Sequence, residues 1–278
     1  MKRLLTDKRA YFAAFGAVGG LLSALTYGLT GFEDAFASWV VGTGFDGMLV
    51  AALLAFGQAR YVGKAFDWKA FRKAMLIGGV GGVVGGLAAL AGLPIAQAFG
   101  GESDAGRFLG WTFGGIAVGF AVSKVVPNLK LKTACAAGAA GGFIGCGLMY
   151  LISELAAGTA TTGAAIGLAI AYAETAFRQA WLEVTIRPKG LSLDKERTIS
   201  VTLGDRPVVF GCAGDADVKL AEMVGTKAHF AKVSLLDGKV TLLDMTTEKS
   251  RDIAVDEAFD VSNAHVIVRS KPALTVSA

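Results

Sequence analysis

Hydrophobic positions fall into two regimes along this chain. Between residues 10 and 181 they form long, nearly unbroken runs; from residue 182 onward they alternate with polar positions. A run of about 20 apolar residues is the length a helix needs to cross the hydrocarbon core of a bilayer. Six such spans are read, over residues 10–30, 37–59, 74–99, 107–127, 133–155 and 160–181. The alternating part predicts short strands at "LEVTIRP", "TISVTLG", "PVVFG", "HFAKVSLL", "KVTLLDM", "RDIAV" and "AHVIVRS". Turn signals such as "AGDAD", "LDG" and "DEAFD" separate them. Strands at this spacing without intervening helices predict a small all-β sandwich or barrel.

The odd-numbered spans share one pattern. Residues 16–24 read "GAVGGLLSA", 78–86 "GGVGGVVGG" and 138–146 "GAAGGFIGC". Each is Gly-x-x-Gly-Gly, two larger apolar residues, then two small ones. A phosphate-cradling loop would be a single copy placed after a strand. These copies lie inside apolar spans, and Gly79 to Val84 ends in Val where the G-x-G-x-x-G motif needs Gly. Gly16 and Gly20, Gly78 and Gly82, and Gly138 and Gly142 are each four apart, so each pair shares a helix face. In lipid, such faces let two backbones approach closely. In a soluble helix, each Gly would cost about 1 kcal/mol relative to Ala. The second and fourth spans align on Gly42 and Gly110. The membrane part is thus expected to be three helical-hairpin repeats of about 60 residues.

Charge adds an orientation. Lys2, Arg3, Lys8 and Arg9 precede the first span; Arg60, Lys64, Lys69, Arg72 and Lys73 follow the second; Lys124, Lys130 and Lys132 follow the fourth. The alternate loops carry Glu33 and Asp34, then Glu102, Asp104 and one Arg107. The positive-inside rule then places both termini in the cytoplasm, here of a bacterial plasma membrane. Two acids fall within spans. Asp46 is either functional or structural, near the outer end of a late-starting second span or capping a helix break at Gly44 and Gly47, and Glu174 is read as an i,i+4 pair with Arg178.

Composition narrows the chemistry. The chain has 278 residues, 53% hydrophobic and 18% charged, with a mean hydropathy of +0.53 and a net charge of +4. No basic run with interleaved aromatics suggests nucleic acid. Cys135, Cys146 and Cys212 form no metal or disulfide spacing, and His229 and His265 are too far apart in sequence to propose a metal site. No cofactor, metal or catalytic set is expected, and an enzyme is not expected. The expected division is a membrane domain over 1–181 and a β-sandwich over 182–278.

The stretch "LGDRPVVFGCAGDADVKL…HFAKVSLLDGKVTLLDM" resembles the forkhead-associated (FHA) domain, a β-sandwich whose apical loops bind phosphothreonine peptides. The resemblance covers about 196–270 and rests on Gly211, on Asp217, Val218 and Leu220, on His229, and on Asp244. It implies partner-binding loops bearing Cys212, Thr226, Lys227 and Lys249. Cys212 stands where the family has Arg, Thr226 where it has Ser, and Lys227 where it has a second Arg; "MTTEKSR" replaces the family's Asn-Gly. Arg grips phosphate through a two-pronged fork that Lys and Cys lack. A phosphopeptide reader and a phosphate-independent scaffold therefore both stay open.

Two functions are expected from different classes. One is a membrane-anchored adaptor that recruits a cytoplasmic protein, with or without phosphothreonine, and works within a membrane-protein complex or homo-oligomer. The other is a small channel or transporter with a cytoplasmic regulatory domain, for which Asp46 is the candidate group. The charge pattern generates a direct test. Cysteines placed near Glu33 and Glu102 should react with a membrane-impermeant maleimide in intact cells, and those near Lys69 and Lys130 should not; labelling at Lys69 sinks the orientation.

Overall fold

The computed structural model describes residues 7–30, 36–64, 66–98, 104–152, 155–187, 196–221, 228–236 and 238–271. It divides into two units: residues 1–60 with 66–176, and residues 61–65 with 177–278.

The first unit is helical. Its elements are α1 (Lys8–Thr30), a π-helical turn (Ala37–Gly42) running into α2 (Thr43–Tyr61), α3 (Trp68–Ala98), α4 (Asp104–Ser123), α5 (Leu131–Met149) and α6 (Leu155–Phe177). Among the described residues, six helices are long and apolar enough to cross a membrane. The expected α-helix over 37–59 is π-helical at its start. There the Thr43 hydroxyl donates to the Trp39 carbonyl at 2.6 Å and to the Gly82 carbonyl of α3 at 2.8 Å. A side chain that takes up a carbonyl of the preceding turn relaxes the regular ladder. The helix then runs unbroken through Gly44 and Gly47, so the break considered at those glycines does not occur.

The glycine stripes settle which helices touch. A Cβ on Gly82, Gly78 or Gly86 would collide with the carbonyl oxygen of Thr43, Gly47 or Trp39 respectively. The same holds between α5 and α4, where Gly142 and Gly138 meet the carbonyls of Trp111 and Gly115. Between α1 and α6, Gly20 and Gly16 meet those of Thr159 and Gly163. Each seam steps four residues up one helix and four down its neighbour, as two antiparallel helices in backbone contact must. A second glycine row faces the opposite neighbour. Gly19 would place a Cβ 2.8 Å from the Val50 Cα of α2, Gly141 2.6 Å from the Ile166 Cα of α6, and Gly81 abuts Ala117 of α4. Each odd helix therefore packs closely on two even ones. The even helices bring Val50, Val118 and Ile166, each 1% exposed, into one buried cluster with Phe12, Leu54 and Ile170.

The second unit is a β-sandwich of two sheets. The first has the order β2 (Arg197–Leu203), β1 (Ala180–Ile186), β9 (Ala264–Ser270), β8 (Ala258–Val261). The second has β4 (Val218–Lys219), β3 (Val208–Gly211), β5 (His229–Leu236), β6 (Lys239–Asp244), β7 (Ser250–Ile253). Alternate residues point inward: Leu182, Val184, Val266 and Val268 from one sheet, and Val208, Phe210, Val233 and Val240 from the other are all buried. β8 falls on the stretch expected to be a turn at "DEAFD". Its buried Phe259 and Val261 alternate with exposed Ala258 and Asp260, the period-two pattern that a short edge strand needs.

The seams yield an ordered prediction. Gly82→Ala should separate α2 from α3 and cost about 1–3 kcal/mol. Gly79→Ala, whose Cβ would sit at an ordinary 3.5 Å from the Met48 Cβ, should be near neutral. Thermal melts of the full chain in detergent check this order, and equal melting temperatures would show that the stripe is not a backbone contact.

Candidate functional site

The sandwich end is built by sheet register. β3 runs antiparallel to β5 with Gly211 opposite His229, and β5 runs antiparallel to β6 with Ala231 opposite Asp244. The exit of β3, the entry of β5 and the exit of β6 therefore share one end of the sheet. Cys212 and Lys249 stand in loops at that end. Thr226 and Lys227 lie outside the described residues.

Backbone bonds hold these loops. The Cys212 and Ala213 N–H groups both donate to the Ala228 carbonyl, at 3.0 and 3.3 Å, and the Cys212 Sγ lies 3.6 Å from the same oxygen. The Asp244 N–H donates to the Lys249 carbonyl at 2.9 Å, while the Asp244 carboxylate accepts from Thr246 and Thr247 N–H at 2.7 and 3.2 Å. The Lys249 side chain is exposed. His229 Nε2 meets Asp215 Oδ1 at 2.8 Å and ties the β3–β4 loop to the head of β5. That hydrogen bond holds the Asp215 carboxyl below the usual aspartate value. Among the described residues, the chemistry on offer includes a thiol facing a carbonyl, the solvated ammonium of Lys249 and the His229–Asp215 pair.

A buried hub lies behind this end. Asp217 is 2% exposed and accepts from the Val209 N–H at 3.1 Å and from Arg206 Nη2 at 3.2 Å. Lys64 Nζ stands 3.7 Å from it. Burial, only partly offset by Asp217, pushes the Lys64 ammonium below its ordinary value. Lys64 reaches this place because residues 61–65 belong to the β-rich unit. Gly63, at φ +75°, makes the left-handed turn that glycine adopts most readily, and the Tyr61 hydroxyl accepts from the Ser200 N–H at 3.0 Å. In the sequence, Lys64 reads only as one cation of a basic loop. Tyr61 and Gly63 beside it were the available signal.

The helical unit holds both acids. The Ser23 hydroxyl of α1 donates to Asp46, which is 4% exposed in the first turn of α2. Asp46 shares a cavity of about 10 Å³ with Thr43, Gly114 and Val118, roughly the room of one water. Glu174 meets Lys8 at 2.6 Å with both side chains buried. Sequence spacing alone did not point to Lys8 as a partner of Glu174. Lys8, on α1, is brought to α6 by the glycine seam between them, while Arg178 lies 4.1 Å over the Trp181 ring and donates to the Ser200 hydroxyl. Asp46 and Glu174 thus sit at different places in the helical unit, Asp46 with Ser23 and Glu174 with Lys8.

Compared with models of known protein families and with curated proteins, the sequence finds no match.

The hub is testable. Asp217→Asn keeps an acceptor for Val209 but removes the charge shared by Lys64 and Arg206, and should destabilise the β-rich unit by about 1.5–3 kcal/mol. Urea unfolding of the full chain, followed by hydrogen exchange of the strand amides, reads this. No change would show that water already serves both cations.

Proposed function

We infer that this chain is an integral membrane adaptor. Its three helical-hairpin repeats lie in the bilayer, with both termini on the cytoplasmic side of a bacterial plasma membrane. Its sandwich is an FHA-like domain that recruits a cytoplasmic protein through the loops bearing Cys212, Thr226, Lys227 and Lys249. The observation that carries this reading is the convergence of the β3–β4 and β6–β7 loops at one end of the five-stranded sheet, the kind of end the resembled family uses.

Recognition does not depend on phosphate. After Gly211 the site offers a thiol bonded to the Ala228 carbonyl, where a phosphate reader presents a guanidinium. Anchoring rather than conduction is the role of the helices, because Val50, Val118 and Ile166, each 1% exposed, fill their centre. Asp46 then serves the packing of α1 on α2 through Ser23.

The test is a phosphothreonine peptide library on the full chain in detergent. Each lost charged hydrogen bond weakens binding by roughly 1.5–3 kcal/mol, so one or two lost grips reduce affinity by about 10- to 10⁴-fold. Weak or absent selection is expected, and Cys212→Arg should strengthen it. Tight binding by the unaltered chain, abolished in Lys227→Ala, overturns phosphate independence.

A further inference from the structure

An apolar groove opens on the helical unit. α3, α4 and α5 enclose an apolar groove of about 540 Å³. Its floor forms where Gly81 abuts Ala117 and draws the two helices together. Its walls are Leu76, Val80 and Val84 on one side and Phe113 and Phe120 on the other, with Cys135 at one end. Leu76, Val80 and Val84 are 69%, 64% and 52% exposed, so the groove opens outward.

Charge marks one end of it. Lys73 stands three residues before Leu76 and seven before Val80, on the same face of α3. Lys124 follows Phe120 by four residues, and its Nζ lies 4.9 Å from the centre of that ring. Lys132 precedes Cys135 by three residues on α5. Each of the three helices therefore carries an exposed lysine one turn beyond the residue with which it closes the groove. Asp67, at the head of α3, directs its carboxylate to the Lys69 and Ala70 N–H groups at 2.9 and 3.2 Å. An apolar groove with exposed lysines one turn beyond its lining residues on three neighbouring segments is complementary to a molecule with a hydrocarbon chain and an anionic head.

We propose that this groove holds one anionic phospholipid of the bilayer, an acyl chain lying between α3 and α4 and the headgroup phosphate meeting Lys73, Lys124 and Lys132. The proposal rests on the membrane reading above. It makes the bound lipid a fixed part of the helical unit. Basic pockets between spanning helices are suited to such headgroups, and each lysine near an anionic lipid surface contributes about fivefold in affinity.

The full chain, purified in dodecylmaltoside, is titrated separately with dioleoyl phosphatidylglycerol and dioleoyl phosphatidylcholine, and adducts are counted by native mass spectrometry. One tight phosphatidylglycerol adduct is expected, with phosphatidylcholine binding far more weakly. The triple variant Lys73→Gln, Lys124→Gln, Lys132→Gln should weaken the adduct about 100-fold. Val80→Trp, and independently Leu76→Trp, should displace it while leaving the lysines in place; both positions are exposed, and the melting temperature checks folding. Equal retention of the two lipids, or an adduct that neither kind of variant moves, overturns the proposal. So does displacement by glycerol 3-phosphate at equal concentration, which would assign the lysines to free phosphate. A dimer lost in Val80→Trp would give the groove to a second copy of the chain and likewise overturns it. Carbonate extraction separates the two readings. Release from membranes sinks the membrane reading, whereas retention without a tight adduct sinks the lipid site alone.

Discussion

The helical unit depends on one constraint: at three seams the backbone of one helix occupies the space where a side chain of its neighbour would begin. Gly16 with Gly163, Gly78 with Gly47, and Gly138 with Gly115 are reciprocal, each excluding a Cβ on the other. In the bilayer proposed above, apolar surface would give little drive for helices to associate, and attraction would come from close dispersion contact and weak Cα–H to carbonyl bonds. Both rise steeply as axes approach, and only glycine permits this approach. Once α1 is fixed to α6, α3 to α2 and α5 to α4, the second glycine row leaves each odd helix one further neighbour, and Val50, Val118 and Ile166 have nowhere to go but inward.

This close approach also decides where polarity is tolerated. Ser23 faces Asp46 between α1 and α2. The corresponding contacts elsewhere are Gly85 with Gly114 and Gly145 with Thr162. One seam therefore carries a hydroxyl–carboxylate bond where another carries two glycines. A Cβ built on Gly114 would meet no heavy atom within 4 Å. The acid and the small cavity beside it are two sides of one departure from likeness among the helices. The buried pair of Lys8 and Glu174 is different. It lies at the end of a seam, and breaking one partner of such a pair costs far more than the pair itself contributes.

Length and hydropathy made the six described helices legible, and period-two alternation did the same for seven of the nine strands among the described residues. The glycine stripes announced backbone contact without naming the partner, because one face of small residues fits any other. Partner choice emerges only when six helices compete for the same neighbours. Glu174 shows what local reading leaves out. Its partner Lys8 arrives from the far end of the unit, a contact that no local spacing announces. β8 was hidden because four residues are too few to outweigh the turn-forming acids around them. At the sandwich end, spacing located Cys212 and Lys249 in loops. Nothing in spacing revealed that Asp217 would be buried, because its cation comes from residue 64.

Residues 61–65 are made long before the strands they join. Tyr61 and Lys64 leave the ribosome more than a hundred residues ahead of Ser200 and Asp217, their partners at 3.0 and 3.7 Å. The sandwich is therefore completed around a segment already fixed between two helices, and its folding is tied to the helices by chain order as well as by linkage. A fragment cut at residue 177 would fold, if at all, with the Ser200 amide and the Asp217 carboxylate each short of one native partner. Its stability would then understate that of the same domain in the whole molecule.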